Sequence, residues 1–260
     1  MNTNEEIIRK IKSKKELSGI TNSIVEEHLS NYIKKRGINL PELREKQLKI
    51  IIKEIRAKLR TLSGQYQRGV KHRLKFLNNK ELENLLRTHS STSERIDFYP
   101  SLKKMIKNLK IKSILDLGCG LNPIALSDKK IKYYASDIKE DELSLIESYF
   151  AQNKINGRTF VYDIRAIKDD LPKADLCLLF KVIDLVSKNN KSLTKNILSN
   201  IKCKYILVSF PTKKLSGRPM SKPKRIWFER ILAELNMKFE TFQSDNEIFY
   251  LINTREKSSI

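Results

Sequence analysis

The run Ser113-Ile114-Leu115-Asp116-Leu117-Gly118-Cys119-Gly120 is an apolar segment that ends in Asp-x-Gly-x-Gly. Gly118 and Gly120 allow a tight turn that brings the backbone, Cys119 included, close to a ligand. Asn122 then stands as an expected helix N-cap, with Pro123 at the first helical position. The next apolar segment, Tyr133-Tyr134-Ala135-Ser136-Asp137-Ile138, places Asp137 at its carboxyl end, 19 residues after Gly118. An acid there accepts hydrogen bonds from both hydroxyls of a ribose. Asp163 closes Thr159-Phe160-Val161-Tyr162-Asp163 and is placed to accept from an adenine amino group. Ile138, Ile164 and Phe180 complete the expected lining. Three acids at three successive strand ends imply an adenosine ligand in one crevice. The alternatives are a dinucleotide site, or carboxylates that merely cap helices.

The elements that must position these residues follow from periodicity. Apolar residues recur at helical spacing over 5–35 and 41–62, with Gly19 and Gly37 as punctuation, and one or two short helices fit 70–87. Ser91-Thr92-Ser93-Glu94 fits a capping box opening a helix to about residue 109. Beyond it, strand-like runs at 113–118, 132–138, 159–164, 175–182 and 205–211 alternate with helices near 122–128, 141–152, 190–201 and 222–236. Phe239–Phe242 and Ile248–Ile252 flank a polar turn and read as an antiparallel hairpin. The expected architecture is α/β: a Rossmann-like, seven-stranded sheet with a terminal antiparallel hairpin over 91–260, preceded by a small all-helical domain over 1–90. The segment Gly118-Cys119-Gly120-Leu121-Asn122-Pro123 lacks the third glycine of the dinucleotide fingerprint. With the terminal hairpin, that favours S-adenosylmethionine over NAD and a class I methyltransferase fold.

Charge points to the partner. The chain has 260 residues with 52 Lys+Arg against 30 Asp+Glu, a formal +22. Over 53–80 the bases include Arg60, Arg68, Lys71, Arg73 and Lys75, with Glu54 the single acid; a second cluster over 213–230 includes Arg218. Two clusters without matching acids fit phosphate contacts on nucleic acid better than solvated faces. The longest apolar runs are strand-sized, so a membrane span is excluded, and the polar first residues carry no secretory signal. Three scattered cysteines give neither a disulfide framework nor a zinc motif. The expectation is a cytoplasmic, monomeric, metal-free protein.

Asp116 to Ala125, Asp-Leu-Gly-Cys-Gly-Leu-Asn-Pro-Ile-Ala, resembles the D-[LI]-[GA]-C-G-L-N-P-L-A segment of the aminoglycoside-resistance 16S ribosomal RNA (guanine-1405-N7) methyltransferases, the Arm/Rmt and FmrO-like group. His89-Ser90-Ser91-Thr92-Ser93-Glu94-Arg95, Leu178-Leu179-Phe180-Lys181 and Val208-Ser209-Phe210-Pro211-Thr212 followed by Leu215 and Arg218 are similar to three further family segments, in the same order. The resemblance covers about 89–230; over 1–85 only the helical, basic character matches. It implies methyl transfer from S-adenosylmethionine to N7 of guanine 1405 in the 30S subunit, with aminoglycoside resistance as the consequence. It also implies that Arg95 binds the cofactor's methionine carboxylate with His89 close by, and that the N-terminal region docks on the ribosome. Another RNA target, or a non-catalytic ribosome-binding factor on the same fold, remain the other readings.

The chemistry asks little of the protein. Guanine N7 carries a lone pair at neutral pH and needs no general base, so orientation carries the catalysis. The base must be unpaired or flipped out, because side chains do not reach N7 in A-form RNA. Phe210 is the candidate for stacking, against core packing as the plainer role. Ser209 and Lys181 could meet the guanine edge or its phosphate. Asp184 is the plainer partner for Lys181, and Glu94 or Asp97 for Arg95. Arg218 fits phosphate gripping.

Overall fold

The computed structural model describes residues 4–40, 43–62, 69–166, 171–186, 190–213, 217–221 and 223–257. Three helices come first: α1 (Asn4–Lys12), α2 (Asn22–Arg36) and α3 (Glu45–Leu62). Their three- and four-residue apolar spacing buries Ile7, Ile11, Val25, Leu29, Ile51, Ile55 and Leu59 in a core of their own. Gly37 ends α2 at φ +61, its N–H turned back onto the carbonyls of Ile33 and Lys34. Arg56 crosses from α3 to the end of α1, where Nε donates to the Ile11 carbonyl at 3.2 Å.

Next come α4 (Arg73–Asn78), α5 (Leu82–Arg87), α6 (Ser90–Ser93) and α7 (Tyr99–Asn108). Leu77, Leu85 and Leu86 do not join the first core; they bury with Tyr99, Leu102 and Ile124 against the sheet. The core of the first three helices thus ends at Leu59, and the core of the sheet starts at Leu77. The single helix expected from Ser91 to about 109 is broken. α6 stops at Ser93, a 3₁₀ turn spans Ile96–Phe98, and α7 begins at Tyr99. Pro100 offers no N–H to carry one ladder through. Ser91 lies inside α6 rather than capping it; the N-cap position falls to His89, with no side-chain cap.

The sheet comprises β1 (Ser113–Leu117), β2 (Lys132–Asp137), β3 (Gly157–Val161), β4 (Ala174–Phe180), β5 (Cys203–Pro211), β6 (Met237–Gln243) and β7 (Glu247–Lys257), in the order β3-β2-β1-β4-β5-β7-β6. The first five are parallel; β7 inserts antiparallel between β5 and β6, as a terminal hairpin requires. The crossovers are α8 (Asn122–Leu126), α9 (Glu140–Asn153), α10 (Val182–Val186) with α11 (Lys191–Asn200), and α12 (Ile226–Glu234). Strand residues alternate faces. Leu176, Leu178 and Phe180 pack on the side of α7 and α9, whereas Cys177, Leu179, Ile206, Val208 and Phe210 pack on the side of α11 and α12. The chain reverses its direction of strand addition between β1 and β4, which opens a crevice at their carboxyl ends. Among the described residues no helix is long and apolar enough to cross a membrane.

One buried ion pair ties α4 to α9. Arg73 Nη1 meets Glu142 Oε1 at 3.1 Å with both side chains nearly inaccessible, and its Nε and Nη2 donate to Thr88 Oγ1 and the Thr88 carbonyl. Arg73 is thus structural, a correction to its expected place on RNA. Arg73→Met should destabilise the protein by about 3–5 kcal/mol, because the Glu142 carboxylate stays buried without its main partner. A urea midpoint unchanged from wild type would refute this.

Candidate functional site

The crevice outside β1, β2 and β4 is built on the glycine turn. Gly118 has φ +70 and Gly120 φ +48. A Cβ on Gly118 would stand 2.7 Å from Val182, and one on Gly120 3.0 Å from the His89 ring. The N–H groups of Gly118 and Cys119 both donate to the Ser136 carbonyl at 2.9 Å, which moors the turn to β2. Asn122 is the first residue of α8 rather than its cap; its Oδ1 accepts from Arg95 Nη1 at 2.7 Å and from Tyr99 Oη at 2.8 Å.

Asp137 faces the turn. Its Oδ2 accepts from Gly120 N at 3.1 Å, and its Oδ1 from Ile138 N at 2.7 Å and Lys139 N at 3.2 Å. Burial, with Glu142 adding to it, still lifts its carboxyl to about 7. Asp163 lies two residues past the end of β3, where its carboxylate is gripped by Arg165. The crevice wall brings together His89, Gly118, Cys119, Gly120, Asn122, Asp137, Ile138, Asp163, Ile164, Phe180 and Lys181. Burial depresses His89 to about 4 and pushes the Cys119 thiol well up, so the first is neutral near pH 7 and the second is no nucleophile.

Other expected residues lie behind this wall. Asp116 is fully buried in β1 and accepts from Tyr133 Oη at 2.7 Å. Burial lifts it to about 7. Pro123 is buried in α8 and does not line the crevice. Arg95 is fully buried. Its Nη atoms meet Glu247 at 2.8 Å, Asn122, Ser91 and Tyr99, and its guanidinium lies 4.5 Å from the Phe180 ring centre. Neither Glu94 nor Asp97 is its partner. Arg95 Nε is left without a partner among the described residues.

Lys181 follows β4 in the left-handed region, φ +59. Its N–H donates to the Ser209 carbonyl at 3.0 Å, and its Nζ pairs with Glu94 and, at 3.4 Å, with Glu247. Asp184 pairs instead with Arg225 at 3.1 Å. Ser209 is fully buried and donates to Glu247 Oε2 at 2.6 Å, so it supports Glu247 rather than facing a ligand. The stacking role expected of Phe210 is withdrawn. Strand alternation turns its ring away from the crevice into a cluster with Trp227, Phe228 and Tyr250, where it has no exposed surface.

Of the expected RNA contacts, Arg60, Lys71, Lys75 and Arg218 are exposed, although Arg60 also pairs with Glu16 at 2.8 Å. Arg68 lies outside the described residues. Sequence reasoning missed Lys139, Tyr162 and Arg165, which adjoin Asp137 and Asp163 and could have been found by adjacency. It also missed Glu142 and Leu185, on the helices that follow β2 and β4, Leu62, which arrives from α3, and Glu247, which meets Arg95 from 152 residues away with no local signal.

The ribosomal RNA methyltransferase (FmrO) family profile matches residues 75–251. The chain is similar to a protein of Serratia marcescens named 16S rRNA (guanine(1405)-N(7))-methyltransferase, 28% identical over 216 residues, which covers 80% of this chain and 85% of that one. A protein of the same name from Frankia casuarinae is 25% identical over 177 residues; the match takes in 64% of this chain and 62% of the relative's length. In fold, the chain is similar to the 16S rRNA methyltransferase RmtF in complex with S-adenosyl-L-homocysteine, with a TM-score of 0.80 at 22% identity, covering 97% and 99% of the two chains.

Asp116 also carries a pH signature. Its carboxyl is held near 7 when folded against an ordinary value of 3.8, so the folded state binds the extra proton. Stability from this group is present at low pH and falls as pH rises toward 7. The thermal midpoint of wild type should therefore drop between pH 5 and pH 8 by more than that of Asp116→Asn, in which the side-chain oxygen still accepts from Tyr133. Parallel curves for the two proteins would contradict this.

Proposed function

Because the chain belongs to the ribosomal RNA methyltransferase (FmrO) family, we propose that it transfers a methyl group from S-adenosylmethionine to N7 of guanine 1405 in 16S ribosomal RNA of the 30S subunit, and so confers aminoglycoside resistance. The observation that carries this reading is the crevice itself: a glycine turn too tight for a side chain, with Asp137 and Asp163 on its walls and Lys181 at its lip. The matching names of the Serratia and Frankia relatives support the same target.

The residues present fit S-adenosylmethionine. Backbone takes the place where a Cβ at Gly118 or Gly120 would collide, Asp137 offers a carboxylate to the ribose hydroxyls, and Ile138 and Ile164 offer apolar surface to the adenine. Asp163 accepts from the adenine amino group. Arg95 Nε, buried and without a partner among the described residues, is the donor left for the methionine carboxylate, with His89 packed on Gly120 beside it. When bound, the cofactor supplies a methyl group on a sulfonium. The chain's part is to align it with a lone pair on guanine, and no general base is needed. Lys181 is the cation at the lip, held by Glu247 from within, while Glu94 is half exposed and can yield Lys181 Nζ to a guanine edge or phosphate. Arg60, Lys71, Lys75 and Arg218 supply phosphate contacts from the exposed surface. We take the enzyme to act as a monomer in the cytoplasm.

Incubation with labelled S-adenosylmethionine and 30S subunits, followed by borohydride–aniline cleavage at 7-methylguanine, should give one stop at guanine 1405. Label at another nucleotide would keep the chemistry and discard the target; no label on any RNA would sink the reading. Asp137→Ala should weaken cofactor binding by about 1.5–3 kcal/mol through loss of charged hydrogen bonds. Lys71→Glu with Lys75→Glu should lower 30S affinity and the steepness of its salt dependence while leaving cofactor affinity as in wild type. Unchanged 30S binding would remove α4 and the turn before it from the docking face.

A further inference from the structure

The first three helices do more than flank the crevice; they reach both acids expected to hold the adenosine. Thr21, just before α2, donates through its N–H and Oγ1 to the Ile138 carbonyl, both at 3.1 Å. Glu140 N donates to the Gly19 carbonyl at 2.9 Å. These bonds grip the segment that directly follows Asp137. Leu62, at the end of α3, lines the crevice.

The second connection runs through Arg165, in the turn after β3. Its backbone N–H and Nε donate to Asp163 Oδ1 at 2.9 and 2.8 Å, Nε also reaches Oδ2 at 3.0 Å, and Nη2 pairs with Oδ2. Its remaining nitrogen, Nη1, meets Nε2 of His28 on α2 at 2.7 Å. A guanidinium only donates, so His28 Nε2 must accept and the imidazole must be neutral, with its proton on Nδ1. Burial, then the Arg165 charge, depress His28 to about 4, which keeps it neutral across the physiological range. Asp163 raises it only in part, and Lys58 on α3 opposes protonation further.

We propose that Arg165 is a positioning residue that holds the Asp163 carboxylate in one orientation for the adenine amino group while resting on His28, so that the N-terminal helices help to set cofactor affinity. This rests on the function proposed above. A carboxylate has about four acceptor sites. Arg165 fills both on Oδ1 with its backbone N–H and Nε, and Nη2 lies on Oδ2 with the Nε–H shared beside it, so no more than one directed acceptor, on Oδ2, is left for one N–H of an exocyclic amine. A planar guanidinium fork fixes the carboxylate plane as a lysine could not. His28 in turn fixes the fork, because Arg165 is itself partly exposed, at 22%, and would otherwise swing.

The test is calorimetry with S-adenosylhomocysteine on the full chain, with thermal midpoints measured alongside. Arg165→Met should weaken binding on the order of tenfold and His28→Leu about three- to fivefold, whereas His28→Gln, which keeps an acceptor, should stay within about twofold of wild type. Tighter binding by Arg165→Met would overturn the proposal, since Arg165 would then compete with the ligand for Asp163. So would His28→Leu at wild-type affinity, or equal losses in both His28 variants, which would signify packing alone. A wild type that binds no S-adenosylhomocysteine would overturn the function reading and this inference together; the other contrary results overturn only the inference.

Discussion

A single buried carboxylate organises the lip of the crevice. Glu247 begins β7 with no exposed surface, and its Oε2 accepts from Arg95 and Ser209 while Lys181 pairs with Oε1 at 3.4 Å. Burial pushes its carboxyl up, but Arg95, then Lys181, outweigh that and hold it below the ordinary carboxylate range. Neither cation could sit so deep without it, because an uncompensated buried charge costs several kcal/mol. The terminal hairpin is therefore more than an edge to the sheet. It delivers the counter-charge that Arg95 meets at 2.8 Å and the Lys181 side chain at 3.4 Å.

The rest of the charge distribution follows a simple segregation. The chain carries +22, and the Lys and Arg side chains at Arg60, Lys71, Lys75 and Arg218 stand on its surface. Several carboxylates are turned inward: Asp137 and Glu142 line the crevice, and Asp116 and Glu247 are fully buried behind it. Burial raises Asp116 and Asp137 toward neutrality, while Arg73 meets Glu142. The arrangement leaves a strongly positive exterior around a crevice whose acids are turned inward.

Helical and α/β parts are also less separate than their sequences suggest. α4 and α5 pack on the sheet, and the link between α1 and α2 bonds to the segment after Asp137. Gly19 permits that approach, since a Cβ there would fall on the Asp141 carboxylate. The N-terminal helices and the crevice thus share a backbone joint.

Much of this was legible in the chain alone: an apolar run into Asp116-Leu117-Gly118-Cys119-Gly120, Asp137 at the next strand end, Asp163 read as the end of the third strand and found two residues past it, and a closing hairpin. These are local signals, carried by period-two alternation, glycine conformational freedom and spacing along the chain. The tertiary structure alone decided which neighbours those residues meet. Phe210 and Ser209 are placed by the facing of β5 and by Glu247, 37 and 38 residues on; Arg73 is withdrawn from the surface by Glu142; Arg95 finds its carboxylate 152 residues away. Buried charge must be paired wherever the fold brings a counter-charge within reach, and that distance is a property of three-dimensional packing which no spacing in the chain encodes.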